Sequence, residues 1–270
     1  MKLIFADPDD KRVLRRCLPD KNDEVLYIPE GVEHLEEFAL RDCDNLKRIV
    51  LPSTIAPDAG GYLTCEGLET IEVSADHPVF VSRDGVLFRN DPDGFTLARY
   101  PAGRKERVYI IPRDVYRVGD HAFYNSRYLG NVLITKRVRF LDSYALAGCL
   151  KLHYVQMDNE HAIRIGAYAL GFNTLLENVQ LNGKVDRVEQ HAFIGSALKF
   201  LSLPEGLTHI GQGAFACCSY LETIVLPQSI THIGVDTFRY CSSLRHVFCT
   251  RAVSCLIPEL RDVVRIHKAF

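Results

Sequence analysis

Leu198-Lys-Phe-Leu-Ser-Leu-Pro-Glu-Gly-Leu-Thr-His-Ile-Gly-Gln-Gly-Ala-Phe-Ala-Cys-Cys218 is followed by Leu221-Glu-Thr-Ile-Val-Leu-Pro-Gln-Ser-Ile-Thr-His-Ile-Gly-Val-Asp-Thr-Phe-Arg-Tyr-Cys241. Both fit Leu-x-x-Ile-x-Leu-Pro-x-x-Ile-x-x-Ile-Gly-x-x-Ala-Phe-x-x-Cys, the first with Leu201 and Leu207 for Ile and the second with Thr237 for Ala, and the block recurs about every 23 residues down most of the chain. A period of that length marks a stacked solenoid, in which each coil buries its apolar side on the next. Such a chain is expected to have one continuous interior and a long open surface rather than a pocket.

The last residue of each strand-like segment marks the coils: Ile28, Leu51, Val73, then Ile111, Ile134, Met157, Leu181, Leu203, Leu226 and Cys249. Leu221–Leu226 alternates inward and outward as a half-buried strand does. Pro29, Pro52, Pro112, Pro204 and Pro227 follow directly. Proline has no N–H to give to a ladder, so it stops the strand at a fixed point. Ile-x-x-Ile-Gly then predicts a short second strand or extended turn. Phe215, Cys218 and Leu221 sit three apart, so a single helical or 3-10 turn aims all three inward. Phe123, Phe193, Phe215 and Phe238 are expected to stack as a spine. About nine coils, at about 4.8 Å per strand, make a stack on the order of 40 Å long.

The spacing is broken between Val73 and Ile111. Val86-Leu-Phe-Arg-Asn-Asp-Pro-Asp-Gly94 and Thr96-Leu-Ala-Arg-Tyr-Pro101 read as a hairpin turned at Asp-Gly. The N-terminus repeats this layout: Leu3-Ile-Phe5, Asp7-Pro-Asp-Asp10, then Val13-Leu-Arg-Arg16. The whole chain is therefore read as a single domain. It has a hairpin cap over 1–25, repeats over 26–73, a β-hairpin insertion over 74–107, repeats over 108–249 and a C-terminal cap over 250–270. Residues 257–267 leave the period there. Capped ends are expected because a bare terminal coil exposes strand edges and core.

With 47% hydrophobic and 24% charged residues the chain is expected to fold. A formal net charge of −2 argues against nucleic acid or an anionic membrane as partner, since both need a cationic surplus. No stretch approaches the ~20 apolar residues of a membrane span. The apolar run at the N-terminus stops at Ala6, short of a secretory core. As given, the sequence reads as cytoplasmic; a fragment of a longer protein would fit the cell surface or secretion.

These residues make the chain similar to bacterial leucine-rich repeat proteins of the BspA type. Ile210-Gly-Gln-Gly-Ala-Phe-Ala-Cys-Cys-Ser-Tyr-Leu-Glu-Thr-Ile-Val-Leu-Pro227 matches that repeat almost position for position. Ser82-Arg-Asp-Gly-Val-Leu-Phe88 with Tyr100-Pro-Ala-Gly-Arg-Lys105 resembles the hairpin module found in the same family. The resemblance implies a leucine-rich-repeat solenoid: a right-handed, mostly-β α/β superhelix with one parallel strand per coil, short helical or 3-10 turns, and a β-hairpin cap and insertion. It implies attachment or protein binding, frequently at the cell surface, and carries no catalytic residues over. Some copies depart from the pattern: Ile55-Ala-Pro-Asp-Ala-Gly-Gly61 has lost Ile-Gly, and Leu146 and Leu170 replace Phe.

Nine cysteines include no Cys-x-x-Cys, and Cys43, Cys65, Cys149, Cys218 and Cys241 share one repeat position, so they are read as reduced packing thiols. Repeat register also accounts for His34, His209 and His232, and for His121 and His191. No carboxylate or cysteine recurs beside them, so neither a metal nor a cofactor is expected. No phosphate loop, Gly-x-Ser-x-Gly elbow or His-Glu-x-x-His is present.

The residues flanking the central Ile of each strand point outward by alternation. One row contains Arg48, Thr70, Asn131, Tyr154, Asn178, Phe200, Thr223 and His246. The other contains Tyr27, Val50, Glu72, Ile110, Leu133, Gln156, Gln180, Ser202, Val225 and Phe248. Aromatic residues flanked by amides suit a binding surface. Tyr154, Phe200, His246 and Phe248, with Gln156, Asn178 and Gln180, are the candidate partner-binding residues, and the expected partner is a protein. Carbohydrate or extracellular-matrix attachment at a bacterial surface is the alternative, and a thiol-dependent enzyme the third reading.

Overall fold

The computed structural model describes residues 1–260 and 265–268. Positions 261–264 and 269–270 of the expected C-terminal cap lie outside the described residues. The chain winds as a mostly-β solenoid of about eleven turns. Each regular coil has a front strand ending before the proline, a shorter back strand ending before the glycine, and a third side made of turns.

The front strands form three parallel pieces. The first holds Val25–Tyr27, Arg48–Leu51 and Thr70–Val73. The second holds Val108–Ile110, Asn131–Ile134, Tyr154–Met157 and Asn178–Leu181. The third holds Phe200–Ser202, Thr223–Val225, His246–Cys249 and Arg265–Lys268. Equivalent repeat positions stand in register, as in Tyr154 against Asn178 and Thr223 against His246. The extended segment before each glycine is a true second strand: the back strands pair in parallel from Val115–Val118 to His232–Ile233.

The last front strand falls within the expected C-terminal cap. Arg265–Lys268 leaves the period, yet it pairs in parallel with His246–Cys249. After His246–Cys249 the chain enters a short helix, Arg251–Ser254, capped by Thr250, whose side chain accepts from Val253 N.

The third side is built from overlapping turns, with a 3-10 helix at Ala59–Tyr62. Its N–H groups alternate between two ladders. Ala122, Tyr124 and Ser126 donate to carbonyls three residues back, while His121, Phe123 and Asn125 donate to Ser143, Ala145 and Ala147 of the next coil. Every second amide thus ties neighbouring coils, and Phe215, Cys218 and Leu221 still point fully inward. The spine stacks at 5.2 Å for Phe193–Phe215 and 5.8 Å for Phe215–Phe238. Phe123 stands apart from these three rings, because Leu146 and Leu170 fill the two coils between, and it packs instead on Tyr100 at 5.0 Å.

The interior is not one continuous core. One cluster runs from Leu14 to Leu87, the other from Val86 to Leu260. The divider is the antiparallel unit Phe80–Arg83, Val86–Asp91 and Gly94–Arg99. Side chains alternate across a strand, so Leu87 enters the first core while Val86 and Phe88 enter the second. Gly94–Arg99 then joins the back sheet in parallel beside Val115–Val118. At the N-terminus, Val13–Leu18 pairs antiparallel with Lys2–Phe5 and parallel with His34–Leu35.

Candidate functional site on the front sheet

The outward rows lie on the front sheet as alternation requires, and its breaks divide the seven candidate residues. Tyr154, Gln156, Asn178 and Gln180 sit on the middle piece; Phe200, His246 and Phe248 sit on the last piece. Between the two, Asn178–Leu181 and Phe200–Ser202 form no ladder, although the back strands of the same coils remain paired. The coil before the break is tied to its predecessor. Asn159 donates to Lys184 O at 2.6 Å, and a Cβ on Gly183 would stand 2.4 Å from Asn159 O.

On the middle piece the Tyr154 hydroxyl lies 2.6 Å from Gln180 Oε1 and 2.9 Å from Gln156 Oε1. A single phenol proton serves one of them, so one amide turns its NH2 group to the tyrosine oxygen. Gln156 Nε2 donates to Asp158 Oδ2 at 2.7 Å, and Asn182 Nδ2 donates to Asp158 Oδ1 at 2.8 Å. Tyr154 and Gln156 are half-buried, whereas Asn178 and Gln180 are exposed. The result is a tethered polar cluster with free amide edges.

On the last piece Phe200 is 55% exposed. Phe248 is partly covered because the added strand brings His267 against it, with ring centroids 4.3 Å apart and planes 11° apart. His246 Nδ1 lies 3.1 Å from His267 Nε2. Phe200 and His246 share a row with Thr223 between them, while Phe248 stands in the other row beside Val225. The aromatic residues therefore do not form one patch.

Sequence reasoning left Val108 out. It stands in register with Asn131 and, with Ile110, is more than half exposed at the start of the middle piece. The register of Val108-Tyr-Ile110 against Asn131-Val-Leu133 would have found it. At the N-terminal piece, Arg48 Nη2 donates to the Tyr27 hydroxyl at 2.9 Å and Arg48 pairs with Glu72 at 3.3 Å.

The repeat thiols hold coils together. Cys149, Cys218 and Cys241 donate to the carbonyls of Phe123, Phe193 and Phe215 one coil back, at 3.1, 3.2 and 3.1 Å. Burial pushes the Cys149 and Cys241 thiols up to about 12 and the Cys218 thiol up to about 11, away from the thiolate a nucleophile needs. Asn173 occupies the same position and donates to Leu146 O at 2.9 Å. Among the described residues no group of three or more His, Cys, Asp or Glu side chains could hold a metal ion. No described helix is long and apolar enough to cross a membrane.

Comparison with known proteins agrees with this geometry. The family model for the BspA type leucine rich repeat region matches residues 16–79, 107–218 and 164–256, in six copies. No curated protein matches the chain. Among solved structures, a leucine-rich repeat protein from Eubacterium ventriosum is similar, at 24% identity and TM-score 0.67, over 81% of this chain and 59% of that one. A leucine rich cell surface protein from Faecalibacterium prausnitzii is similar at 23% identity and TM-score 0.55, over 83% of this chain and 59% of that one. The pneumococcal vaccine antigen PcpA is similar at 16% identity and TM-score 0.59, over 92% of this chain and 68% of that one. The chain thus spans about three-fifths of the length of the first two relatives.

Proposed function

Because the chain belongs to the BspA-type leucine-rich repeat family, we propose that it is a non-enzymatic scaffold that binds a protein through its front sheet. The observation that carries this reading is that Tyr27, Val108, Ile110, Phe200 and Phe248 are exposed along one face. Large apolar side chains set among amides are what a protein interface uses as anchors. Tyr154, Phe200, His246 and Phe248 supply most of the grip, and Gln156, Asn178 and Gln180 supply adaptable hydrogen bonds at its centre. The name of the Faecalibacterium relative supports a cell-surface setting.

Replacing Tyr154, Phe200, His246 and Phe248 together by Ala tests this. Immobilised wild type and variant are exposed to native lysate and to culture-surface material, and retained proteins are identified by mass spectrometry. Proteins held by the wild type are expected to be lost from a variant whose circular dichroism and melting are unchanged. Equal retention on both sinks the reading. The Tyr154–Gln156–Gln180 cluster favours saccharide attachment as a second reading, since a phenol between two amides presents both donors and acceptors. Glycan-array binding abolished by Gln180→Ala, with protein capture intact, would favour it.

A further inference from the structure

A second surface lies on the third side, away from the front sheet. The residue before the Ala or its equivalent falls in one column that includes Phe38, Asp58, His121, Tyr144, Tyr168 and His191. From His121 onward the rings stack coil on coil, at 4.9, 4.8 and 4.9 Å. Before His121 the column is interrupted, because Phe80–Arg99 and the crossing that follows stand where a regular coil would lie. The interruption leaves a groove of about 660 Å³.

Phe38 and Tyr62 form one wall of the groove, and His121 and Tyr124 the other. A Cβ on Gly61 would meet nothing within 4 Å, so the space between them is open. Glu37 and Asp58 also line it. Among the described residues Glu37 has no ion-pair partner, and Asp58 faces the His34 ring, with Nδ1 at 3.8 Å. Burial, then the charge of Arg99, keeps the His121 pKa below its usual value, so at neutral pH that ring is an uncharged aromatic wall. The buried Arg99 guanidinium, which donates to His121 O, opposes a cation in the groove, but the two carboxylates outnumber it.

Four rings and two under-paired carboxylates select for a cation on an apolar stem. The ring faces attract the charge, the carboxylates neutralise it, and the stem covers aromatic surface. Phe38 already draws one guanidinium, with Arg41 lying 5.9 Å from its centroid. An anion would be repelled, and a metal ion would lack converging ligands. With Phe38 58% exposed, the groove is shallow enough for a side chain to enter while its backbone stays outside. We propose that the groove between Phe38, Tyr62, His121 and Tyr124 binds a lysine or arginine side chain of a partner polypeptide.

Two-dimensional NMR titration of the whole chain tests this with N-acetyl-arginine methylamide, N-acetyl-lysine methylamide and the neutral N-acetyl-citrulline methylamide. The two cationic probes are expected to shift the amides of Gly61, Thr64 and Tyr124 saturably, in the millimolar range. The citrulline probe should bind at least about tenfold more weakly. Glu37→Gln with Asp58→Asn should abolish the saturable shifts while the rest of the spectrum stays in place. Equal binding of citrulline, unchanged binding to the double variant, shifts centred on the front sheet, or no saturable shift with either cation would each overturn the proposal.

Discussion

Tyr144 and Tyr168 lie in consecutive coils with ring centroids 4.8 Å apart and planes 3° from parallel. That separation is the spacing of one parallel rung, so the pitch of the solenoid sets the stack. Their backbones sit at φ 55° and 57°, in the left-handed region, which costs a side-chain-bearing residue about 1–2 kcal/mol. Ring contacts worth about 0.5–1.5 kcal/mol each offset part of that cost. A double-mutant cycle on Tyr144→Ala and Tyr168→Ala, read by urea unfolding, should show a coupling of about 0.5–1.5 kcal/mol. Additive effects would mean that the pitch aligns the rings without attraction between them.

Arg99 is 1% exposed, and burial pushes its pKa down to about 10, so it remains charged at neutral pH. One nitrogen donates to His121 O at 2.5 Å, Nε has no acceptor, and no carboxylate pairs with it among the described residues. A charge taken from water and left this poorly partnered is a net cost. Arg99→Met, similar in length and apolar, should stabilise the chain by about 1–3 kcal/mol in thermal or denaturant unfolding. A loss of stability would show that the guanidinium makes a contribution its single bond does not explain.

The repeat thiols give a pH signature. Cys149, Cys218 and Cys241 ionise near 11 to 12 in the folded chain, against about 8.5 unfolded. The folded state therefore binds more protons between those values, and stability should fall as pH climbs from about 8.5 toward 12. Below about pH 8.5 the contribution is fully present. Iodoacetamide at mildly alkaline pH, followed by peptide mass spectrometry, should label the exposed Cys217 and Cys255 and spare these three. Rapid native labelling of Cys149, Cys218 or Cys241 would contradict this.

Much of the coil was legible because its rules are local. Alternation in Leu221–Leu226 and the three-residue spacing of Phe215, Cys218 and Leu221 decide which side chains face inward, whatever the neighbouring coils do. The column of coil-tying groups was visible only in part: Cys149, Cys218 and Cys241 stand out as repeats, whereas Asn173 at the same position does not look like a cysteine. His121 and His191 were recognised as equivalent. Tyr144 and Tyr168 between them were not, because their shared property is ring geometry rather than residue type.

The spacing of leucine, proline, glycine and phenylalanine by itself determined a parallel-stranded solenoid and the outward rows of its front sheet, since those depend on the pleat and on neighbours within one coil. Tertiary structure decided where the ladders stop. Phe200 stands across a break from the coil that Asn159 ties to its predecessor, Leu87 and Phe88 face two separate cores, and Arg265–Lys268 adds a rung that partly covers Phe248. The break depends on the spacing between coils, the two cores on where the inserted antiparallel strands stand, and the added rung on the pairing of a strand that leaves the period, and no periodic pattern encodes any of the three.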